Sequence, residues 1–516
     1  MRFAVPVNSS SEVRELYRAG ADELYCGYFD SGWQSAYGRH DSINRRQGEA
    51  NYSSWSDLEK TVFEASGLGL PVYLAVNSRY TSAQYDTLTE LIDRWRSIGG
   101  RGVIVRDIGL LSRMKETDLI GGLRITASLL FPVINGYAAD MLKEYGVSRV
   151  VLPRCLSIDE MRAVCSSASD VEYEAMIFGD KCRFIDGYCR SIHAESSLSA
   201  FSKNRFSDID FSKGCVHLCM QYGKIPDDPC AVCRLAELEE AGVSVGKLGG
   251  RGLPLSKRIR WLRFIKESQG LSEVDKKILY RQTFSHPCSC YYVNKPVLCN
   301  HPDGDVYLPD NMIGHHSCPH ALDEIKAYLC GENIDKNVYV IPPVTPDYAD
   351  AFEEVISLII EKHGDDAEIV VNDYGALSYC LRMKDRGELK AKLISGMLLF
   401  GQDTDPYYCV LDGREDCDKL AEHLSEPSVI SQKELLHKSG VDGIELCRQP
   451  VWDEELISSL EGLDIRIYDF SVLSVKPCCG DCENCREKAV VRNGKTIISN
   501  RNMLYYQPDT NPCKHN

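Results

Sequence analysis

The sequence predicts an α/β protein: a TIM-like (β/α) barrel followed by a second, shorter β/α domain with a Cys-rich C-terminal tail. Three observations lead there. Residues 1–275 alternate short apolar runs with amphipathic helical stretches, and the same rhythm returns over 336–516 after a break at 276–335. No Gly-rich dinucleotide fingerprint follows the first apolar run, which weakens an open nucleotide-binding sheet as the alternative. At 516 residues the chain exceeds one ordinary compact domain, and its hydrophobic content of 44% is enough for more than one core.

The elements follow in order. "RFAVPV" reads as a strand and residues 10–19 suit a helix. "DELYCGY" is a second strand, and "SWSDLEKTVFEASGLG" is a helix stopped at glycine. "PVYLAV", "GVIVRD", "LRITAS", "SRVVLP" and "VEYEAMIFG" continue the strands. "QYDTLTELIDRWRSIGG", "INGYAADMLKEYG" and "SIDEMRAVCSS" supply helices between them. So many consecutive βα units favour a closed barrel. Residues 276–335, with "SHPCSCYYVNKPVLCNHPDGD" and "GHHSCPH", carry little periodicity and read as a Cys/His-containing connector. The second domain is read from "NVYVIPP", a helix near 347–362, "AEIVVNDYGAL", "LISGMLLFG", "GVDGIEL", a helix near 453–461 and "IRIYDF".

Composition narrows the function. The start lacks a long apolar segment and a cleavage site, and no run approaches the roughly 18 apolar residues of a membrane span. A cytoplasmic protein with no membrane contact is expected. The net charge of −16 disfavours broad, nonspecific binding to nucleic acid, while leaving room for a local basic patch. "SKRIRWLRFIKE" is the one basic helix, with Lys257, Arg258, Arg260, Arg263 and Lys266 around apolar Ile259, Leu262 and Ile265; a solvated helix packed by its stripe is the plainer reading.

The 23 cysteines stand out. In a large chain in a reducing compartment, clustered cysteines more often bind metal or do redox chemistry than form disulfides. One group is Cys182, Cys189, Cys215, Cys219, Cys230 and Cys233; another is Cys478, Cys479, Cys482, Cys485 and Cys513. Cys288, Cys290, Cys299 and Cys318 lie in the connector, with His286, His301, His315, His316 and His320 nearby; zinc or local packing both account for them. Cys26, Cys165, Cys380 and Cys409 are scattered and read as core residues. The strand "YEAMIF" ends near Gly179, so Cys182 opens a loop on the barrel's C-terminal rim, where active sites form, and Cys189 closes it. Wide, loop-distributed thiols lean towards an iron–sulfur cluster over zinc. "KPCCGDCENC" offers a second, compact set in Cys479, Cys482 and Cys485.

"EYEAMIFGDKCRFIDGYCRSIH" resembles the signature of the collagenase-like peptidase U-32 family. "GADELYCG", "NRRQGEANYSSWSDL", "VNSRY", "VRDIGLL", "TASLLFPVINGYAADML", "GVSRVVLPRCLSIDEM", "KGCVHLCMQY" and "DPCAVCRLAELEEAGVSVGKLGGRG" resemble further family segments in the expected order, over roughly residues 1–270. The resemblance implies a TIM-like barrel. Family members carry a peptidase label, and better understood relatives use an iron–sulfur cluster and assist oxygen-independent hydroxylation of tRNA, rRNA or ubiquinone precursors. The cluster ligands carry over as Cys182, Cys189, Cys215 and Cys230, for a four-iron four-sulfur cluster. Thr126 and Phe178 stand where the family usually has histidine, Cys155 replaces an acidic residue and Gly249 replaces a glutamate. "VVNDYGAL", "LISGMLLFGQDTDP" and "NRNMLYY" resemble segments of shorter barrel relatives of the ubiquinone-hydroxylation type.

The function expected is an iron–sulfur protein taking part in hydroxylation or a related modification of RNA, a small molecule or a peptide, with one or two clusters and an electron-transfer or family-related partner protein. Arg45, Arg46 and Asn77, near barrel strand ends, are candidate substrate contacts. A peptidase and a non-catalytic electron relay or scaffold are the alternatives. The peptidase has little independent support. There is no H-E-x-x-H, and the G-x-S-x-G at Gly242–Gly246 lies between a helix and a strand, the reverse of a nucleophile elbow.

Overall fold

The computed structural model describes residues 1–37, 43–44, 46, 50–80, 82–179, 185–188, 229–286, 308, 311–399, 433–447, 458, 460–468, 471–475, 488–492, 495–500 and 503–507. Eight parallel strands close the first domain into a barrel: β1 (Arg2–Pro6), β2 (Glu23–Gly27), β3 (Val72–Val76), β4 (Gly102–Val105), β5 (Arg124–Ala127), β6 (Val147–Val151), β7 (Glu172–Phe178) and β8 (Val243–Leu248). Each strand pairs with the next, and β8 pairs back with β1 through Arg2 opposite Val245 and Ala4 opposite Lys247. The closed barrel expected from the repeated βα rhythm is therefore the fold.

Local chemistry starts the helices where the sequence places them. After a 3-10 turn at Ser10–Glu12, α1 (Val13–Ala19) completes the stretch read as one helix. Ser54 caps α3 (Trp55–Ser66) by accepting from the Asp57 amide; α2 (Ser31–Tyr37) precedes it. After α4 (Ser82–Ser97), Asp107 caps α5 (Ile108–Glu116) and Asn135 caps α6 (Gly136–Lys143). Ser157 and Glu160 form a reciprocal capping box on α7 (Ile158–Ser167). Each cap satisfies an amide that has no partner inside its helix.

Helix α8 (Leu235–Glu240) leads into β8, and α9 (Leu255–Glu267) and α10 (Glu273–Phe284) follow it. Helix α9 is the basic helix, and it is anchored by its apolar face: Trp261, Leu262, Phe264 and Ile265 are buried. One of its cations is also interior. Arg258 is fully buried, donating to the Pro6 carbonyl at 2.6 Å and to both oxygens of Glu12 at 2.6 and 2.9 Å.

The lower barrel interior is ionic. Arg149 on β6 donates to Glu23 on β2 and to Glu172 and Glu174 on β7, while Lys247 on β8 donates to Glu174 at 2.6 Å. Tyr73 lies under the Arg149 guanidinium and Tyr25 under the Lys247 ammonium, at 5.0 and 4.3 Å from ring centroid to cation. Buried charges persist only when paired in this way.

The second domain is a curled sheet of six parallel strands in sequential order: β9 (Met312–Gly314), β10 (Val338–Ile341), β11 (Glu368–Val371), β12 (Lys392–Ser395), β13 (Gly443–Cys447) and β14 (Asp464–Tyr468). Its first strand lies within the segment read from sequence as a connector, as does the following α11 (Ala321–Leu329). A three-residue strand is too short to show periodicity. The curl brings the edge strands near each other: the Tyr468 hydroxyl on β14 lies 3.7 Å from the Met312 sulfur on β9. It also donates to Glu445 at 2.8 Å, and His316 meets the other oxygen of that buried carboxylate at 2.9 Å. Helices α12 (Ala349–His363), α13 (Tyr374–Asp385) and α14 (Lys433–Ser439) complete the described helices. The helix read near 453–461 lies almost wholly outside the described residues. A four-stranded antiparallel sheet, β15 (Ser471–Val475), β16 (Lys488–Arg492), β17 (Lys495–Asn500) and β18 (Met503–Gln507), follows in the order β15-β18-β17-β16; the sequence reading had a tail there.

The two domains share a tight seam. Asn135 caps α6 and Asp373 caps α13, and the two caps also bond each other: Asn135 Nδ2 donates to Asp373 Oδ1 at 2.9 Å and to the Val344 carbonyl at 2.8 Å. Gly375 permits this approach, because a Cβ there would stand 1.9 Å from Asn135 Oδ1.

Candidate functional site

The barrel's C-terminal rim is built from the loops after its strands. Gly27 ends β2 under a polar cluster. Arg251, after β8, donates to Asn44 Oδ1 at 3.0 Å, Asn44 donates to Asn51 Oδ1 at 2.6 Å, and Asn51 donates to the Arg46 carbonyl at 2.7 Å. A Cβ at Gly27 would lie 2.2 Å from Asn51 Oδ1 and 2.5 Å from Arg251 Nη1, so the missing side chain is what lets the cluster sit over the strand end. Asn77, after β3, is buried and donates to Ser128 Oγ after β5 at 3.1 Å, across the end of β4. Of the expected substrate contacts, Arg46 thus joins the β2 side of the rim and Asn77 the β3–β5 side; Arg45 lies outside the described residues. Asn44, Asn51 and Arg251 carry no spacing signal that marks them as site residues, and they lie in the "NRRQGEANYSSW" and "KLGGRG" segments.

On the opposite side the rim meets the cysteine loop. Cys230 is buried and forms a bridge with Phe178, and the Gly179 amide donates to the Pro229 carbonyl at 3.0 Å. Phe178 stacks on Trp261 with ring centroids 5.1 Å apart. Gly179 has φ +72, and a Cβ there would approach Trp261 to 2.8 Å, so the chain turns out of β7 only with glycine. Cys233 follows in the turn Val232–Arg234 and is half-buried. The turn Asp186–Tyr188 lies between Cys182 and Cys189 in sequence and is buried. Cys182, Cys189 and Cys215, and Cys479, Cys482 and Cys485 of the tail, lie outside the described residues.

Burial pushes Cys26 and Cys165 each up to about 12, so both stay protonated near neutral pH and act as packing groups. Burial raises Cys380 as well. Asp107 is pushed up by burial against the hydrogen bonds of Leu110, Tyr85 and Tyr80, in keeping with its role as a cap. Thr126, where the resemblance expects histidine, is buried with Oγ1 lacking a hydrogen-bond partner. Ser244 sits within β8 with Oγ 3.3 Å from Glu172, so it is no nucleophile elbow.

Among the described residues no three His, Cys, Asp or Glu side chains converge to hold a metal. Cys230 places one buried sulfur at the barrel's C-terminal rim, a donor of the kind an iron–sulfur cluster takes.

Fold and rim define a (β/α)-barrel protein with a cysteine-bearing loop after its seventh strand. The chain belongs to peptidase family U32, whose model matches residues 8–267. It is 27% identical over 184 residues to tRNA hydroxylation protein P of Haemophilus influenzae, a stretch covering 36% of this chain and 37% of that protein. It is 27% identical over 195 residues to 23S rRNA 5-hydroxycytidine C2501 synthase of Escherichia coli, covering 38% and 27%. A collagenase of Porphyromonas gingivalis is 22% identical over 264 residues, covering 48% and 60%. The matched stretches thus span 37%, 27% and 60% of these relatives, each less than two thirds. Among solved structures, the U32 peptidase Mk0906 overlays on 48% of this chain and 93% of its own, at 15% identity and a TM-score of 0.34. No described helix is long and apolar enough to cross a membrane.

Proposed function

We propose that this protein takes part in oxygen-independent hydroxylation of RNA, with a four-iron four-sulfur cluster on the barrel rim. Cys182, Cys189, Cys215 and Cys230 would hold that cluster. When bound, it supplies one-electron redox chemistry. A second centre on Cys479, Cys482 and Cys485 accompanies it, and a redox partner protein delivers electrons.

The observation that carries the reading is the placement of Cys230. It lies beside the end of β7, where Gly179 begins the segment that leads three residues later to Cys182. Support for RNA comes from two of the relatives, whose names specify tRNA and rRNA. The rim chemistry agrees: Arg79, Arg106 and Arg251 follow β3, β4 and β8, which places guanidinium groups after three strand ends of an otherwise acidic protein. Asn44, Asn51 and Arg251 hold the β2–β8 side of that mouth in one arrangement and position substrate there.

Two measurements test this. Anaerobic purification yields about four irons for the first site, and Cys230→Ser removes them, because a hydroxyl is a poor ligand for this centre. Colourless wild-type protein containing only zinc would overturn the cluster. Mass spectrometry of nucleosides from tRNA and rRNA of cells with and without the gene shows a hydroxylated nucleoside lost. An unchanged profile, with peptide cleavage by the purified protein, favours the peptidase reading that the collagenase likeness raises.

A further inference from the structure

The turn between the two loop cysteines is held from four directions. Asp186 is clamped by Arg154, whose Nε donates to Oδ2 at 2.9 Å while Nη2 meets Oδ1. Gly187 presses on the loop after β5: a Cβ there would stand 2.5 Å from Pro132 Cδ and 2.8 Å from the Leu130 carbonyl. Arg106, after β4, reaches the Gly187 carbonyl at 3.5 Å. These three anchors belong to the barrel. The fourth does not: the buried Tyr188 hydroxyl donates to the Asn372 carbonyl, at the end of β11 in the second domain, at 3.2 Å.

The acceptor is itself set in place. Asn372 Nδ2 donates to the Ile341 carbonyl at 3.0 Å, and its Oδ1 accepts from the Leu398 amide at 3.4 Å. Gly396 carries no Cβ that would strike this oxygen, which would lie 2.3 Å away. The next residue, Asp373, is the cap bonded to Asn135 of the barrel. Phe131 of the barrel rim stacks on Tyr374 at 4.8 Å. The ends of β10 and β11 therefore meet the loops after β5 and β7 at the barrel mouth.

We propose that the second domain is part of the barrel's functional site: through Asn372 it holds Tyr188, and Tyr188 is a positioning residue for the cysteine loop. This rests on the cluster reading above, because the thiols flanking the turn are the ones assigned to the cluster. A cluster bound by thiolates from separate loops needs those loops held before it arrives, and the barrel alone leaves the Tyr188 end without its hydrogen-bond acceptor.

Tyr188→Phe keeps the ring and removes one donor. In the full-length chain, hydrogen exchange of the amides at 185–188 accelerates roughly five-fold, the effect of one lost buried hydrogen bond, while the thermal midpoint moves little. In the iron-loaded chain, transfer of iron to a chelator accelerates in the same direction. Gly375→Ala, which disturbs the seam without touching the loop, gives the same two changes. Wild-type exchange at 185–188 in both variants overturns the proposal, and so does wild-type iron release alongside faster exchange. If the wild-type chain holds no iron, the cluster reading fails by itself and the exchange measurement still decides whether the second domain holds the turn.

Discussion

Arg149 and Glu23 face each other inside the barrel, the guanidinium donating to both carboxylate oxygens at 2.6 and 2.9 Å, with both side chains almost fully buried. The same guanidinium reaches Glu172 and Glu174, so one cation balances carboxylates from two strands. Arg149→Met leaves Glu23 buried without this partner. We expect a loss of about 3–5 kcal/mol in unfolding free energy, measured by urea titration. Glu23→Gln in the same chain restores part of it, and purely additive losses would contradict the pairing.

The Lys247 side of the cluster sets an acid limb. Burial alone would raise the Glu174 carboxyl, but Lys247 and Arg149 outweigh it and hold the group below its ordinary value of 4.5. A carboxyl with a lowered folded-state pKa contributes stability above its unfolded pKa, and that contribution is lost as the pH falls through the folded value. Stability should therefore drop as the pH falls below about 4.5, and Glu174→Gln should flatten that drop while lowering stability at neutral pH. Urea titrations across the acid range check it; parallel curves for the two proteins would rule the linkage out.

Gly27→Ala separates stability from function. The new Cβ meets the side-chain ends of Asn51, Arg251 and Asn44, at 2.2, 2.5 and 2.9 Å, and those ends can move. The expected cost in stability is about 1 kcal/mol, while the nucleoside modification falls about ten- to a hundred-fold because the polar cluster is displaced. Unaltered modification with altered stability would remove the cluster from the functional site.

The seam should couple the unfolding of the two domains. Gly375→Ala puts a Cβ 1.9 Å from Asn135 Oδ1 and 2.7 Å from the Ala138 amide nitrogen, with main chain on one side that cannot yield. A loss of about 2 kcal/mol is expected, with separation of a single calorimetric transition into two. One unshifted transition would show the seam to be compliant.

The tail cysteines are tested by length. A chain ending near residue 470 lacks Cys479, Cys482 and Cys485 and keeps Cys182, Cys189, Cys215 and Cys230. Part of the iron should be lost and part kept, because four thiolates suffice for one cluster. Loss of all iron would mean that the tail completes the first site, and unchanged iron would mean that the tail binds none.

The repeated βα units, the barrel they close into and the place of the cysteine segment after β7 can all be read from the chain alone. These are properties of neighbouring residues: strand alternation, helical period, and caps such as Ser54, Asp107, Asn135 and Ser157 that act within three residues. The sequence placed Arg258 on a basic helix but could not tell that this cation turns inward to Glu12, 246 residues away. Which distant residues meet emerges only on folding. Arg251 reaches Asn44 across 207 residues, Tyr188 reaches Asn372 across 184, and Arg149 reaches Glu23 across 126. Such pairs leave no periodic trace in the chain, because their geometry arises when a closed sheet brings the ends of non-adjacent strands around one axis and sets a second sheet against its rim.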